Sequence, residues 1–301
     1  MKLELIQVEK RFGDKEVLQG IGLRVESGQS LGLLGRNGAG KTTTLRIVMD
    51  VFPADGGQVL LDGRPFRRED HRIGYLPEER GLYPKRLIGD QLAYLGALKG
   101  LPARRAREEA GKWLERMELT EYASKQVDTL SKGNQQKIQL AVAMLGDPEI
   151  VILDEPFSGL DPVNARLLKD IVKECIEGGK IVLFSSHQMN YVEEFCQHIA
   201  ILNKGRIVLD TSIAAHKRTY DRRHILVDIA PGQGTKALDF LRGKGLRAEA
   251  GEDALHLYVN ETEDTLPLLS AMAEAGIQTE GYRVFEPSLN DIFVAYTGDS
   301  V

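Results

Sequence analysis

The stretch LGLLGRNGAGKTT, residues 31–43, decides how this chain is read. Leu31, Leu33 and Leu34 look like the end of a buried strand. The run Gly35-Arg36-Asn37-Gly38-Ala39-Gly40-Lys41-Thr42 fits G-x-x-x-x-G-K-[ST], and Thr43 begins a helical segment that runs to Met49. Strand, glycine loop and helix is the order that a phosphate-binding loop needs. Glycines let backbone N–H groups turn inward without a Cβ in the way, and the helix N-terminus adds partial positive charge. Lys41 can then reach the β- and γ-phosphates of a nucleotide such as ATP, while the Thr42 hydroxyl can ligate Mg²⁺. A loop of this kind reports a nucleotide and leaves the work done with it open.

Working outward, 301 residues allow one large domain or two, and 42% hydrophobic with 28% charged residues describe an ordinary globular chain. The formal charge of −5 argues against a broad nucleic-acid surface. Cys175 and Cys196 match neither a disulfide framework nor a metal spacing, which suits a reducing cytoplasm. The opening MKLELIQVEK lacks an apolar signal core, and no window reaches the length of a membrane span. Any membrane role is therefore expected to come through a partner.

Alternating apolar residues at 3–8 and 17–25, split by a turn at Phe12-Gly13-Asp14-Lys15, predict a β-rich and antiparallel start. Short strands follow the P-loop helix at VLLDG (59–63) and IGYL (73–76). Between about 85 and 145 the pattern becomes helical, at 88–99, 103–118 and 134–146. The run Ile150-Val151-Ile152-Leu153 is unbroken and apolar, the kind that a parallel sheet buries on both faces. Helix 162–177, strand 181–185 and helix 188–197 continue the βαβ alternation. Two strands joined by Asn-Lys-Gly fill 199–210. The basic stretch around Ala214, His216, Lys217, Arg218, Asp221, Arg222 and Arg223 reads as a linker. A small α+β unit and a closing helix near 287–296 follow, and together they make residues 216–301 a second domain.

Downstream of the P-loop, the strand at 150–153 ends in Asp154 and Glu155. At the carboxyl end of a strand beside a P-loop, Asp154 is placed to hold Mg²⁺. Glu155, one residue on, can polarise an attacking water as general base. Just before an apolar helix stands Leu130-Ser131-Lys132-Gly133-Asn134-Gln135. Alone, Ser131 reads as a helix N-cap, and a helix start with a free hydroxyl and a glycine N–H is also an anion site.

With these motifs in this order, residues 2–215 resemble the ATP-binding-cassette family. Leu130 to Gln135 align with that family's Leu-Ser-Gly-Gly-Gln signature, with Lys132 for the first glycine and Asn134 for the glutamine. The resemblance implies a fold class of α/β: a P-loop NTPase (RecA-like) core with an antiparallel β subdomain and a helical insertion. It implies that Phe12 stacks on adenine, that Ser158-Gly159-Leu160-Asp161 is a D-loop crossing a dimer interface, and that His187 of Ser185-Ser186-His187 meets the γ-phosphate. Where the family has a Q-loop glutamine, this chain reads Gly74-Tyr75-Leu76-Pro77-Glu78, so Glu78 brings an oxygen and an extra negative charge toward Mg²⁺ or water.

The family pattern further implies that two cassettes pack head to tail, each ATP lying between one P-loop and the partner's Ser131, Lys132, Gly133 and Asn134. Homodimer and heterodimer both satisfy this. The leading expectation is the ATPase subunit of an exporter of sodium, drug or peptide, working through a separate transmembrane permease and lying on the inner membrane face. The tail around Glu286-Pro287-Ser288-Leu289-Asn290-Asp291-Ile292-Phe293 resembles NatA-like and drug-export subunits; it either steadies the dimer or regulates it. The rival class, a soluble cassette ATPase acting on nucleic acid or ribosomes, is disfavoured. Residues 41–154 hold no sustained heptad, and there is a single P-loop.

Overall fold

The computed structural model describes every residue except 80, 159, 161, 220, 252–253, 262–263 and 299–301. Its first unit holds, in chain order, β1 (Lys2–Phe12), β2 (Lys15–Glu26), β3 (Gln29–Leu34), α1 (Lys41–Val48), β4 (Gly56–Leu61), β5 (Arg64–Pro65) and β6 (Ile73–Leu76). The helical segment follows as α2 (Ile88–Leu98), α3 (Ala103–Arg116) and α4 (Lys132–Met144). Then come β7 (Ile150–Asp154), α5 (Pro162–Glu177), β8 (Ile181–Ser186), α6 (Met189–Phe195), β9 (His198–Asn203) and β10 (Arg206–Ser212).

Two sheets organise this unit. Strands β2, β1, β4 and β5 form an antiparallel sheet, and β10-β9-β3-β8-β7-β6 form a six-stranded one. In the second sheet β6, β7, β8, β3 and β9 run parallel, and β10 pairs antiparallel with β9. The apolar patterns account for the difference. Along β1 and β2 buried and exposed residues largely alternate, so one face is wet. All five residues of β7 and all six of β8 are buried, as helices covering both faces demand. Ile152 has no exposed surface, and truncating such a core side chain to alanine costs about 2–5 kcal/mol.

The parallel register sets the site. Leu34 of β3 lies opposite Ser186 of β8, and Asp154 of β7 lies opposite Ser185. Three strand ends, with the P-loop, Asp154-Glu155 and Ser185-Ser186-His187 attached to them, therefore emerge side by side at one edge of the sheet. That edge is where open α/β sheets bind ligands.

Helix α4 packs on β6, α2 and α3. Its far end is closed by Lys99, whose ammonium donates to the carbonyls of Val142 (2.6 Å), Ala143 (2.9 Å) and Leu145 (3.4 Å). Burial pushes that ammonium down to about 8. A cation at a helix C-terminus also meets the negative end of its dipole.

The second unit spans Ala214–Ser288. After α7 (Ile213–Arg218) come β11 (His224–Ile229), α8 (Gly234–Gly243), β12 (Arg247–Ala250), β13 (Leu255–Tyr258), α9 (Thr265–Glu274) and β14 (Thr279–Val284). Its sheet, in the order β12-β13-β11-β14, is antiparallel throughout. Its own core includes Ile225, Val227, Leu241, Leu257, Met272 and Ile277.

Two expectations change. The basic stretch read as a linker forms α7 across residues 213–218, so the division falls at 213/214. The closing helix α10 (Leu289–Thr297), expected in the second domain, belongs to the first unit. It packs on α6 and β9, burying Leu289, Ile292 and Phe293, and the Leu289 N–H donates to Glu193 Oε2 at 3.2 Å. Leu289, Ile292 and Phe293 recur at helical spacing without naming their neighbour, and the partner surface lies about a hundred residues upstream.

Candidate active site

The P-loop is shaped by close backbone approach. A Cβ on Gly35 would lie 2.6 Å from the Leu202 carbonyl oxygen, so no side chain fits there. Gly40 has φ +114° and would meet Leu18 and the Val17 carbonyl, whereas Gly38 at φ +80° faces open space. Ala39 is buried, and its N–H closes the turn onto the Arg36 carbonyl at 3.1 Å. A cleft of about 350 Å³ opens over this loop, lined by Phe12, Lys15, Val17, Arg36, Asn37, Gly38, Gly40, Lys41, Thr42, Thr43, Glu78 and Glu155. Strand β1 delivers Phe12, half exposed and edge-on to Phe52 at 5.4 Å. Lys10 steadies that corner by donating to the Pro53 carbonyl (2.7 Å) and Asp55 (2.9 Å). An exposed ring at the mouth of a polar cleft is a stacking platform for a base.

Lys41 is only 6% exposed and Glu155 5%. The Lys41 ammonium donates to the Gly35 carbonyl at 2.7 Å and lies 3.4 Å from Glu155 Oε1. The other carboxylate oxygen, Oε2, sits 2.9 Å from His187 Nδ1 and accepts from the His187 N–H at 3.3 Å. Glu155 adopts φ +50°, the left-handed region, which for a non-glycine residue costs of order 1–3 kcal/mol. Its N–H holds that turn by donating to the Ser185 carbonyl (3.1 Å) and the Ser185 hydroxyl (3.2 Å). The positive φ rotates Glu155 out of the strand's alternation, so consecutive acids serve different partners.

Asp154 is 1% exposed. Its Oδ1 accepts from Thr42 Oγ1 at 3.3 Å and from the Ser185 hydroxyl, while Oδ2 is buried with no hydrogen-bond partner. A bare carboxylate oxygen beside a threonine hydroxyl is a hard-oxygen donor pair suited to Mg²⁺. No group of three or more His, Cys, Asp or Glu able to hold a metal occurs among the described residues. An ion here would thus rely on phosphate and water for its other ligands, the usual arrangement for Mg²⁺ with a nucleotide. Close by on β6, burial and the Asp154 charge raise the Tyr75 phenol, against a hydrogen bond from Arg46.

The residues expected to belong to a signature lie elsewhere. Ser131 caps α4 by accepting from the Asn134 N–H at 3.3 Å. Ser131 and Lys132 are exposed and Gly133 and Asn134 half-buried, and none of the four lines the cleft. Asp161 lies outside the described residues. Helix α4 nevertheless touches both sides of the cleft's frame. Gln136 donates to the Pro156 carbonyl at 3.3 Å, and the buried Gln139 donates to the Glu79 carbonyl at 3.2 Å. Sequence reasoning passed over Ser185, Gln139, Lys15 and Val17. Ser185 alone carried a signal, through its place two residues before His187.

A family model for ABC transporters matches residues 18–158. Over 299 residues the chain is 42% identical to an uncharacterized ABC transporter ATP-binding protein, YhaQ, of Bacillus subtilis, with 98% of each covered. The chain belongs to the ABC transporter ATP-binding family. Among its further relatives, a daunorubicin resistance ATP-binding protein of Streptomyces coeruleorubidus is 33% identical over 97% of this chain and 94% of that protein. A Nod factor export ATP-binding protein of Burkholderia lata is 30% identical over 98% of this chain and 97% of that protein. Of solved structures, an ATP-binding subunit of an ABC transporter has a TM-score of 0.67 at 27% identity, covering 72% of this chain and 92% of that one. A dimeric ATP-binding cassette bound to ADP and Pi shares the fold, with a TM-score of 0.63 at 23% identity over 70% of this chain and 98% of that one. This cassette protein is thus a P-loop ATPase, and a nucleic-acid or ribosome role finds no support. Among the described residues no helix is long and apolar enough to cross a membrane.

Proposed function

We propose that this cassette protein powers an exporter by hydrolysing ATP in a site completed by a second cassette, another copy or a homologous subunit. The observation that carries the reading is a division within one chain. Lys41, Asp154, Glu155 and His187 form a wired cluster beside the cleft, whereas the exposed Ser131 and the half-buried Gly133 do not line it. A hydroxyl and a helix-start N–H with no ligand of their own are suited to a phosphate presented by a partner.

In this reading Phe12 stacks on adenine, and the loop from Gly35 to Thr43, including Arg36, Asn37, Gly38, Ala39 and Gly40, cradles the phosphates. Lys41 leaves the Gly35 carbonyl to meet the β- and γ-phosphates. Thr42 and Asp154 hold Mg²⁺, with Glu78 adding charge at the rim; the ion, when bound, offsets phosphate charge. Glu155 takes a proton as the water oxygen bonds to the γ-phosphorus and the bond to the ADP oxygen breaks. His187 orients Glu155 through Oε2.

Transfer of the work to a membrane subunit is assigned to the helical insertion. A cleft of about 490 Å³, lined by Tyr83, Arg86, Asp90, Gln91 and Tyr94, lies at α2, where Tyr83, Tyr94 and Leu98 are more than half exposed. Gln91 fixes its wall by accepting from the Tyr83 N–H at 2.7 Å. Aromatic residues around a polar-rimmed cleft suit a helix from a transmembrane permease. Such docking would place the protein on the cytoplasmic membrane face. The names of the daunorubicin-resistance and Nod-factor relatives favour export. The test is to purify the protein with its permease and measure which compounds stimulate ATP hydrolysis. Stimulation by none, or by nucleic acid alone, would overturn the exporter reading.

A further inference from the structure

The second unit carries a cavity of about 510 Å³ between described residues of its basic start and the end of β14. It is lined by Ala214, Lys217, Arg218, Arg222, Val284, Phe285 and Glu286. That volume falls in the range of small-molecule sites. Three cations against one carboxylate give its wall an excess of positive charge, in a chain whose formal charge is −5. Lys217 makes an interaction of its own, so the charge that matters here is that of Arg218 and Arg222. Arg223, Arg247 and Arg283 of the same unit pair with Asp221, Glu249 and Asp228. Arg218 and Arg222 have no ion pair among the described residues. Asp221, the carboxylate nearest to them in sequence, is spent on Arg223. It accepts from Arg223 Nε at 2.9 and 3.2 Å and from Nη2 at 2.8 Å, and these bonds hold its carboxyl down at about 2.

The apolar lining residues Val284 and Phe285 are held in place. Val284 pairs with Ile225 of β11, and the Phe285 N–H donates to the His224 carbonyl at 2.8 Å. The Phe285 ring stacks on the His224 ring at 4.3 Å. Exposed guanidinium groups with no carboxylate partner, in one cavity with a fixed aromatic ring, match a phosphate carried on a short apolar body. Arginine forks bind phosphate oxygens in pairs, and the ring covers the apolar part.

We propose that this cavity binds a small phosphate-bearing amphiphile through Arg218 and Arg222, with Phe285 against its apolar part. A glycerophospholipid headgroup and a free organic phosphate share this chemistry. Nothing in the ATP-hydrolysing cluster contributes to the cavity, so the two sites are separable by mutation.

The test uses the full chain without nucleotide. The probes are phosphatidylcholine vesicles with and without phosphatidylglycerol, read by co-sedimentation, and glycerol 3-phosphate, read by titration calorimetry. The variants are R218A/R222A and, since one exposed substitution spares the fold, R222E. Expected is binding to at least one phosphate probe that falls tenfold or more in R218A/R222A and weakens with salt, with ATP hydrolysis and thermal midpoint unchanged. Binding to phosphatidylglycerol vesicles alone identifies a lipid source; binding to glycerol 3-phosphate identifies a soluble one. Equal binding of both probes by wild type and both variants, or no binding of either probe by wild type, overturns the proposal.

Discussion

The carboxyl end of β7 and the start of α4 are the two polar edges that matter most in this protein, and they are built in opposite ways. At the first, Asp154 and Glu155 are almost fully buried and held by Thr42, Ser185, Lys41 and His187. At the second, Ser131 and Lys132 are exposed, and the Ser131 hydroxyl accepts only from its own helix, at the Asn134 N–H, among the described residues. Burying charges is tolerated only with partners, so the first edge had to be completed within the chain. The second carries no such cost and can wait for a ligand from outside. In the proposed reading, the buried edge serves the chain's own ATP and the exposed edge serves that of a second cassette.

Breaking the buried edge has the largest expected consequence. Glu155→Gln keeps the shape and the contact with His187 but removes the proton acceptor. Steady-state ATP hydrolysis should drop by about 10²–10⁴-fold while ATP still binds, leaving an ATP-bound dimer visible by light scattering. Unchanged turnover would remove Glu155 from the catalytic role. Lys41→Ala deletes a charged donor to the phosphates; nucleotide affinity, read by titration, should weaken by about 10–100-fold, from about 1.5–3 kcal/mol per charged hydrogen bond. Normal affinity would leave the P-loop reading without support.

Ser185→Ala probes how the buried edge is held. The loss frees Asp154 Oδ1 of one partner and the Glu155 N–H of another, at about 1–3 kcal/mol. Expected are a lower thermal midpoint and roughly tenfold slower hydrolysis, with ATP affinity little altered. If turnover and midpoint both match wild type, the hydroxyl does not position the acids. The smallest effect belongs to the cleft's mouth. Phe12→Ala should weaken ATP binding by about threefold to tenfold, in line with about 0.5–1.5 kcal/mol for ring stacking. It should leave inorganic triphosphate binding untouched; a matched loss for both would show that Phe12 does not meet the base.

Much of the buried edge was legible because its signals are local. The spacing of Gly35, Gly40, Lys41 and Thr42 lies within eight residues, and the run from Ile150 to Leu153 marks a doubly covered parallel strand. Ser185 was quoted only as a neighbour of His187, since its contact with Asp154 arises from the β7–β8 register, which no short window contains. The same holds for α10: its apolar spacing shows a helix, while its attachment to α6 and β9 is a long-range fact. The helix α7 was obscured by composition, because Lys217 and Arg218 suit a solvated linker as well as a last helical turn that favours basic residues. Ser131 as an N-cap was legible and is present; the role proposed for it toward a second cassette is not written in its local sequence.

The central claim, that each ATP is used between one copy's buried edge and another's exposed edge, is tested most directly by mixing two defective copies. Gly133→Asp places a carboxylate on the exposed edge and leaves the P-loop intact, while Lys41→Ala does the reverse. Each protein alone should hydrolyse ATP far more slowly than wild type. Mixed, they should recover activity, because one of the two sites in a mixed dimer joins an intact P-loop to an intact Ser131-Gly133 edge. Full turnover by Gly133→Asp alone, or no recovery on mixing, would contradict a site shared between two copies.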